Sequence, residues 1–223
     1  MKIEQYTNPG NFGNISRTRQ ALVGPPEIWE AKRQFQFGFL LSMGLMPEHT
    51  LLDLGCGTLR GGIPIIRYLN NGNYTAVDVR QEVIHEARLE LEESGLASKD
   101  PVLICIDNVS EMVLESSFDF IWAFSVLIHM EDNVLRGGLQ FVRRHLKNQG
   151  RFFANVVLGN SHDGHWREFP LVEREASFYQ EIFLANDLCM TDLGPLSEFG
   201  HTTKVRNDEL NKRQHMMKAT PVE

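Results

Sequence analysis

Basic residues are in short supply. Lys and Arg number 22 against 29 Asp and Glu, giving a net charge of −7. That balance argues against a broad phosphate-binding surface, and so against a large nucleic acid as partner. Cysteine is scarcer still: Cys56, Cys105 and Cys189 lie far apart, with no Cys-x-x-Cys pair. An odd, dispersed count suits a reducing compartment better than a disulfide framework. No apolar run approaches the length of a bilayer span. The opening MKIEQYTNPGN lacks the basic-then-apolar order of a secretory signal. These absences lead us to expect a cytoplasmic protein with no membrane or nucleic-acid partner.

What is present is ordinary globular material. The 223 residues are 42% hydrophobic and 23% charged, enough for a packed core in one domain spanning 1–223. Residues 1–24 read as an arm with little periodicity. PPEIWEAKRQFQFGFLLSMGL (25–45) reads as a helix opened by proline, with Ile28, Trp29, Phe35, Phe39 and Leu40 as its apolar stripe. From residue 50, short apolar runs at 50–54, 74–78, 102–107, 118–124 and 151–158 alternate with helical stretches near 61–70, 80–94 and 132–147. In the second of these, Val83, Ile84, Ala87 and Leu91 share one face opposite charges. Strands alternating with amphipathic helices predict a doubly wound, Rossmann-like α/β sheet. A helix near 173–187 is followed by LCMTDLG (188–194) and QHMMKAT (214–220) with no helix between them. Two strands so joined pair antiparallel, which predicts a reversed last strand.

The informative stretch is LLDLGCGTLRGG, residues 51–62. A Walker loop ends in Gly-Lys-Ser/Thr, and this one does not. A dinucleotide fingerprint requires a third glycine where Arg60 stands. Asp53 disfavours both, because a carboxylate two residues before the turn faces the phosphates such loops cradle. The same carboxylate suits a cationic ligand such as S-adenosylmethionine, with its sulfonium and α-ammonium. Gly55 and Gly57 allow close backbone approach, and Cys56 reads as a small filler between them. Arg60 faces either a ligand carboxylate or an acidic acceptor. In YTAVDVR, Asp78 ends the next apolar run, 21 residues beyond Gly57, where a carboxylate can accept both ribose hydroxyls; Val79 adjoins it. In LICIDNV, Asp107 follows a third strand and is placed to accept from an adenine amino group, with Ile106 or Asn108 lining the ring.

Taken together, D-L-G-C-G-T, Asp78, Asp107 and the later FDFIWAFSVLIHM resemble the class I S-adenosylmethionine-dependent methyltransferases over about residues 34–158. The stretch QFQFGFLLSMGLMPEHTLLDLGCGTLRGGIPIIRYL is also similar to a bacterial subgroup of small-molecule or saccharide methyltransferases. The resemblance implies a seven-stranded sheet with strand seven antiparallel, S-adenosylmethionine as cofactor, and residues 1–45 covering its site.

AFSVLIHM follows the fourth strand, where ligands bind in open α/β sheets. Phe124, Ser125 and Val126 are expected to border the cofactor. His129 is the candidate base, against the alternative of a histidine that caps the turn or contacts Asp132. GNSHDGHWREFPLVEREASFY (159–179) reads as a substrate-shaping insertion. His162, His165 and Trp166 are its candidate acceptor contacts, and His201 in EFGHTTK is another. His162, Asp163 and His165 also have the chemistry of a metal set, but a solvated polar loop is the expectation and no metal is assigned. Tyr179 and Phe178 read as core. The function expected is methyl transfer to a hydroxyl of a small molecule, such as a sugar or biosynthetic intermediate. Two alternatives stay open: N-methylation of a small amine, and a catalytically inactive binding module. The tetrapeptide Asn/Asp-Pro-Pro-aromatic of nucleic-acid and protein N-methylating branches is replaced here by FSVL.

Overall fold

The computed structural model describes residues 17–159, 163–166, 169–201 and 212–222. They group into two compact units, one ending at Ile106 and one beginning at Asp107. Among the described residues no helix is long and apolar enough to cross a membrane.

The described part of the first unit opens with a short helix, α1 (Arg17–Ala21), followed by α2 (Trp29–Ser42). A 3-10 turn, Pro26–Ile28, leads into α2; its proline lacks an N–H where none is needed. The run at 25–45 therefore divides into a turn and a helix rather than one long helix. Strand β1 (Leu51–Leu54), helix α3 (Gly62–Tyr68), strand β2 (Tyr74–Asp78), helix α4 (Gln81–Glu93) and strand β3 (Val102–Cys105) follow. The order is β3-β2-β1, all parallel. All four residues of β1 are buried, as expected of a parallel strand covered on both faces. The α4 stripe Val83, Ile84, Ala87 and Leu91 is buried as its period requires.

The second unit holds β4 (Phe118–Ala123), α5 (Asp132–His145), β5 (Leu146–Val157), the hairpin strands β6 (Gly164–Trp166) and β7 (Phe169–Leu171), α6 (Ala176–Leu184), β8 (Leu188–Pro195) and β9 (Gln214–Pro221). The order is β4-β5-β9-β8. β4 and β5 run parallel, while β9 is antiparallel to both neighbours. The last strand is reversed as expected, although the described part of its connection from β8 includes a 3-10 turn, Leu196–Phe199. Two local expectations change. The helix before β5 stops at His145 and extended backbone begins at Leu146. Part of the 159–179 insertion is not loop: Gly164–Trp166 and Phe169–Leu171 pair as the antiparallel strands of a hairpin, Trp166 opposite Phe169.

Candidate functional site

After β1 the chain turns through Gly55 (φ +72°) and Gly57 (φ +57°), backbone that only glycine adopts without strain. A Cβ on Gly57 would lie 2.8 Å from Val23 Cγ1, so the segment after α1 sits directly on the turn. Asp78 holds the turn from the end of β2. Its Oδ2 accepts the Gly57 N–H (3.1 Å) and its Oδ1 accepts the Arg80 N–H (3.0 Å). Each carboxylate oxygen has a second lone pair for a ligand donor.

Asp53 is buried at 4% exposure, and the Tyr74 hydroxyl donates to its Oδ2 at 2.6 Å. Burial pushes this carboxyl up to about 7; the Tyr74 hydrogen bond and Arg60 oppose the rise, and Asp78 adds to it. Cys56 is buried with its Sγ against the Gly57 carbonyl (3.4 Å). Burial, with Asp53 and Asp78, raises the thiol well above its ordinary range, so it stays protonated and unreactive.

Arg60 is buried too. Its Nη1 donates to the Val23 carbonyl (3.1 Å) and its guanidinium lies 5.7 Å from the Trp29 ring centre. Burial pushes it down to about 10, Arg33 adds to the fall, and Asp53 opposes it. Arg60 Nε, Trp29 Nε1 and Thr58 Oγ1 are buried with no hydrogen-bond partner among the described residues, an arrangement that is costly unless an acceptor arrives. Lys32, on the same helix as Trp29, is pushed down to about 7 by burial and by Arg60.

Residues 19–22 are pinned to α4 and its N-cap. Arg19 donates to Glu86 (2.9 Å), Glu90 (2.8 Å) and Glu93 (2.7 and 3.0 Å). Arg80 reaches the Leu22 carbonyl at 3.1 Å. Arg33 joins Glu90 (3.1 Å) to the Arg60 carbonyl (3.0 Å). Of the other residues singled out in this unit, Ile106 is buried and Val79 is 59% exposed.

In the second unit Asp107 and Asn108 are exposed. The Asn108 side chain is engaged locally: Oδ1 accepts from the Ser110 N–H and hydroxyl, and Nδ2 donates to Glu111. After β4, Ser125 adopts φ +59°, a strained conformation for a non-glycine residue. Its N–H donates to Asn155 Oδ1 at 2.6 Å, and Asn155 Nδ2 donates to Gln214. Phe124 stacks on Trp122 and meets His201 edge to face, the His201 side of that contact being 3% exposed.

His129 closes the 3-10 turn Leu127–His129. Its Nδ1 lies 2.7 Å from the Pro170 carbonyl. A carbonyl only accepts, so Nδ1 carries the proton and the lone pair resides on Nε2. Asp132 pairs with Arg174. His165 is exposed in β6, Trp166 lies in the same strand, and His162 falls outside the described residues. Asp163 is engaged by Arg174. Among the described residues no group of three or more His, Cys, Asp or Glu is placed to hold a metal ion.

Sequence reasoning missed Tyr74, Arg80, Asn155 and Arg174. Asn155 had a signal: it is the one polar residue in the apolar run FFANVVL. The others are partners created only by folding.

Residues 52–152 match the family model of a methyltransferase domain. Among solved structures the chain is similar to the YcgJ protein from Bacillus subtilis (18% identity, 84% of this chain and 98% of that one, TM-score 0.64). It is also similar to an S-adenosylmethionine-dependent methyltransferase from Clostridium acetobutylicum (15%, 93% and 96%, 0.64). A third is the glycopeptide N-methyltransferase MtfA in complex with S-adenosylmethionine (13%, 85% and 87%, 0.64). At these identities the structures speak to fold alone. Over residues 52–152, a little under half of its length, the chain is therefore similar to a methyltransferase domain.

Proposed function

We propose that this protein moves a methyl group from S-adenosylmethionine to a hydroxyl of a small molecule, a sugar or biosynthetic intermediate being the class expected. Bound, the cofactor supplies an electrophilic methyl group on a sulfonium. The observation that carries the reading is the buried Asp53 carboxylate beside a glycine turn whose neighbours include three buried polar atoms without a partner among the described residues. A dinucleotide phosphate meets repulsion at Asp53; an amino-acid moiety meets complementary charge on both counts. Asp53 attracts the ammonium, and Arg60 Nε, Trp29 Nε1 and Thr58 Oγ1 suit the carboxylate. Asp78, oriented by Gly57 and Arg80, retains lone pairs for ribose hydroxyls.

In the second unit His129 takes the acceptor's hydroxyl proton at Nε2. Phe124, Ser125 and Val126 line the region after β4, and His165 and Trp166 serve the acceptor. Titration calorimetry with S-adenosylmethionine tests the first half: saturable binding is expected, and a protein that ignores this compound yet takes up a dinucleotide overturns the reading. Turnover of hydroxylated acceptors by His129→Ala tests the second. A variant with full activity removes the base and favours N-methylation of a neutral amine, the chemistry named for the neighbour MtfA.

A further inference from the structure

The β6–β7 hairpin is fastened to the turn that carries His129. The Val172 N–H donates to the Ile128 carbonyl at 2.8 Å, and Pro170 accepts from His129 one residue further along that turn. The Phe169 ring packs on the imidazole, centroids 5.8 Å apart. Arg174 ties the same hairpin at its base. Its Nη1 and Nη2 fork onto the two oxygens of Asp163, just ahead of β6, at 2.5 and 3.1 Å. Its Nε donates to Asp132 at the start of α5 (3.0 Å). Its backbone continues the tie: the Arg174 N–H donates to Val157 and its carbonyl accepts from Gly159, both at the end of β5. One guanidinium thus joins the entry to the hairpin, its exit and the helix that follows the His129 turn.

We infer that Arg174 is a positioning residue for His129, holding the hairpin so that the Pro170 carbonyl fixes the imidazole as the Nδ1–H tautomer with its lone pair on Nε2. This deepens the assignment of His129 as base and rests on it. In free neutral imidazole side chains the proton exchanges between the two nitrogens. An acceptor held opposite Nδ1 removes that choice, as a carbonyl or carboxylate does for many functional histidines. The bidentate fork supplies geometry that a single ammonium does not.

The test is imidazole nitrogen NMR on the full chain, with the His129 resonances assigned by their absence from His129→Ala. The parent is expected to show the Nδ1–H pattern above neutral pH. Arg174→Gln is expected to show a mixture with substantial Nε2–H form, and Arg174→Lys to lie between the two. Turnover should fall about tenfold to a hundredfold in Arg174→Gln with acceptor KM little changed. A His129 that keeps the pure Nδ1–H signature in a folded Arg174→Gln overturns the inference. Should that variant not fold, Asp163→Asn weakens the fork from its other end, with the same expectation and the same overturning result. The base assignment fails separately: it is read from His129→Ala turnover, whereas the tautomer is read without any acceptor or cofactor present.

Discussion

The two units keep their charges in opposite ways. In the first, Arg19 and Arg33 converge on Glu90 with side-chain exposures of 4%, 1% and 1%. In the second, Arg174 at 14% meets Asp132 and Asp163, exposed at 53% and 49%. Buried charges are severely destabilising when one partner is lost, because the remainder stays in low dielectric. Exposed pairs exchange protein for water at little net gain. The first unit therefore spends stability on a rigid frame around its glycine turn. The second uses ion pairs mainly to choose an orientation, and lets the backbone carbonyl of Pro170 and the amide of Asn155 do the local holding.

The largest effect that follows is on folding. Glu90→Ala leaves Arg19 and Arg33 buried without their shared acceptor, and should cost about 3–5 kcal/mol in urea unfolding. A loss below about 1 kcal/mol would place this network in the same class as exposed pairs and break the contrast. Next is Gly57→Ala. The left-handed backbone adds about 1–2 kcal/mol of strain, and the new Cβ meets Val23 Cγ1 at 2.8 Å. Binding of demethylated cofactor should weaken about tenfold or more by calorimetry. Parent-like affinity would mean that the segment over the turn yields freely.

A pH experiment sharpens the picture of the first unit. Asp53 holds its proton up to about 7 in the folded chain, against 3.8 ordinarily. Its contribution therefore favours the folded state at acid pH and is lost as pH rises through about 7. A cationic ligand reverses the preference, since it favours the carboxylate. Affinity for S-adenosylmethionine should rise with pH up to about 7, by at most about tenfold per unit, and then level off. Asp53→Asn should bind more weakly and flatten the profile. Lys32 titrates near 7 as well and acts in the same direction, so Lys32→Met provides the control. A slope that survives in Asp53→Asn but vanishes in Lys32→Met would move the effect from the carboxylate to the lysine.

Periodicity and strand-end chemistry made the framework legible: β1, β2, α4 and the reversed β9 all lie where the apolar runs placed them, and Asp53 and Asp78 flank the glycine turn as their positions implied. The hairpin was not legible, since three-residue strands such as Gly164–Trp166 and Phe169–Leu171 are too short to show alternation. Nor was the tautomer of His129. It depends on the Pro170 carbonyl, 41 residues away in sequence, and every residue type except its own is silent about where its backbone oxygen will point. The Arg19 clamp was hidden for a related reason. Its partners Glu86, Glu90 and Glu93 recur at helical spacing, which reads equally well as a solvated face until the arginine is laid across it.

The smallest expected effect is the most discriminating for the second unit. Arg174→Ala removes contacts to two half-exposed carboxylates, so its cost in urea unfolding should stay below about 1 kcal/mol. Glu173 pairs with Arg213 beside it, and the backbone bonds of residue 174 to Val157 and Gly159 do not depend on its side chain, so the segment keeps its fold. If that small cost accompanies a changed His129 tautomer, the guanidinium acts on orientation alone. A loss comparable to Glu90→Ala would instead make Arg174 a structural keystone, and the two units would then handle charge in the same way.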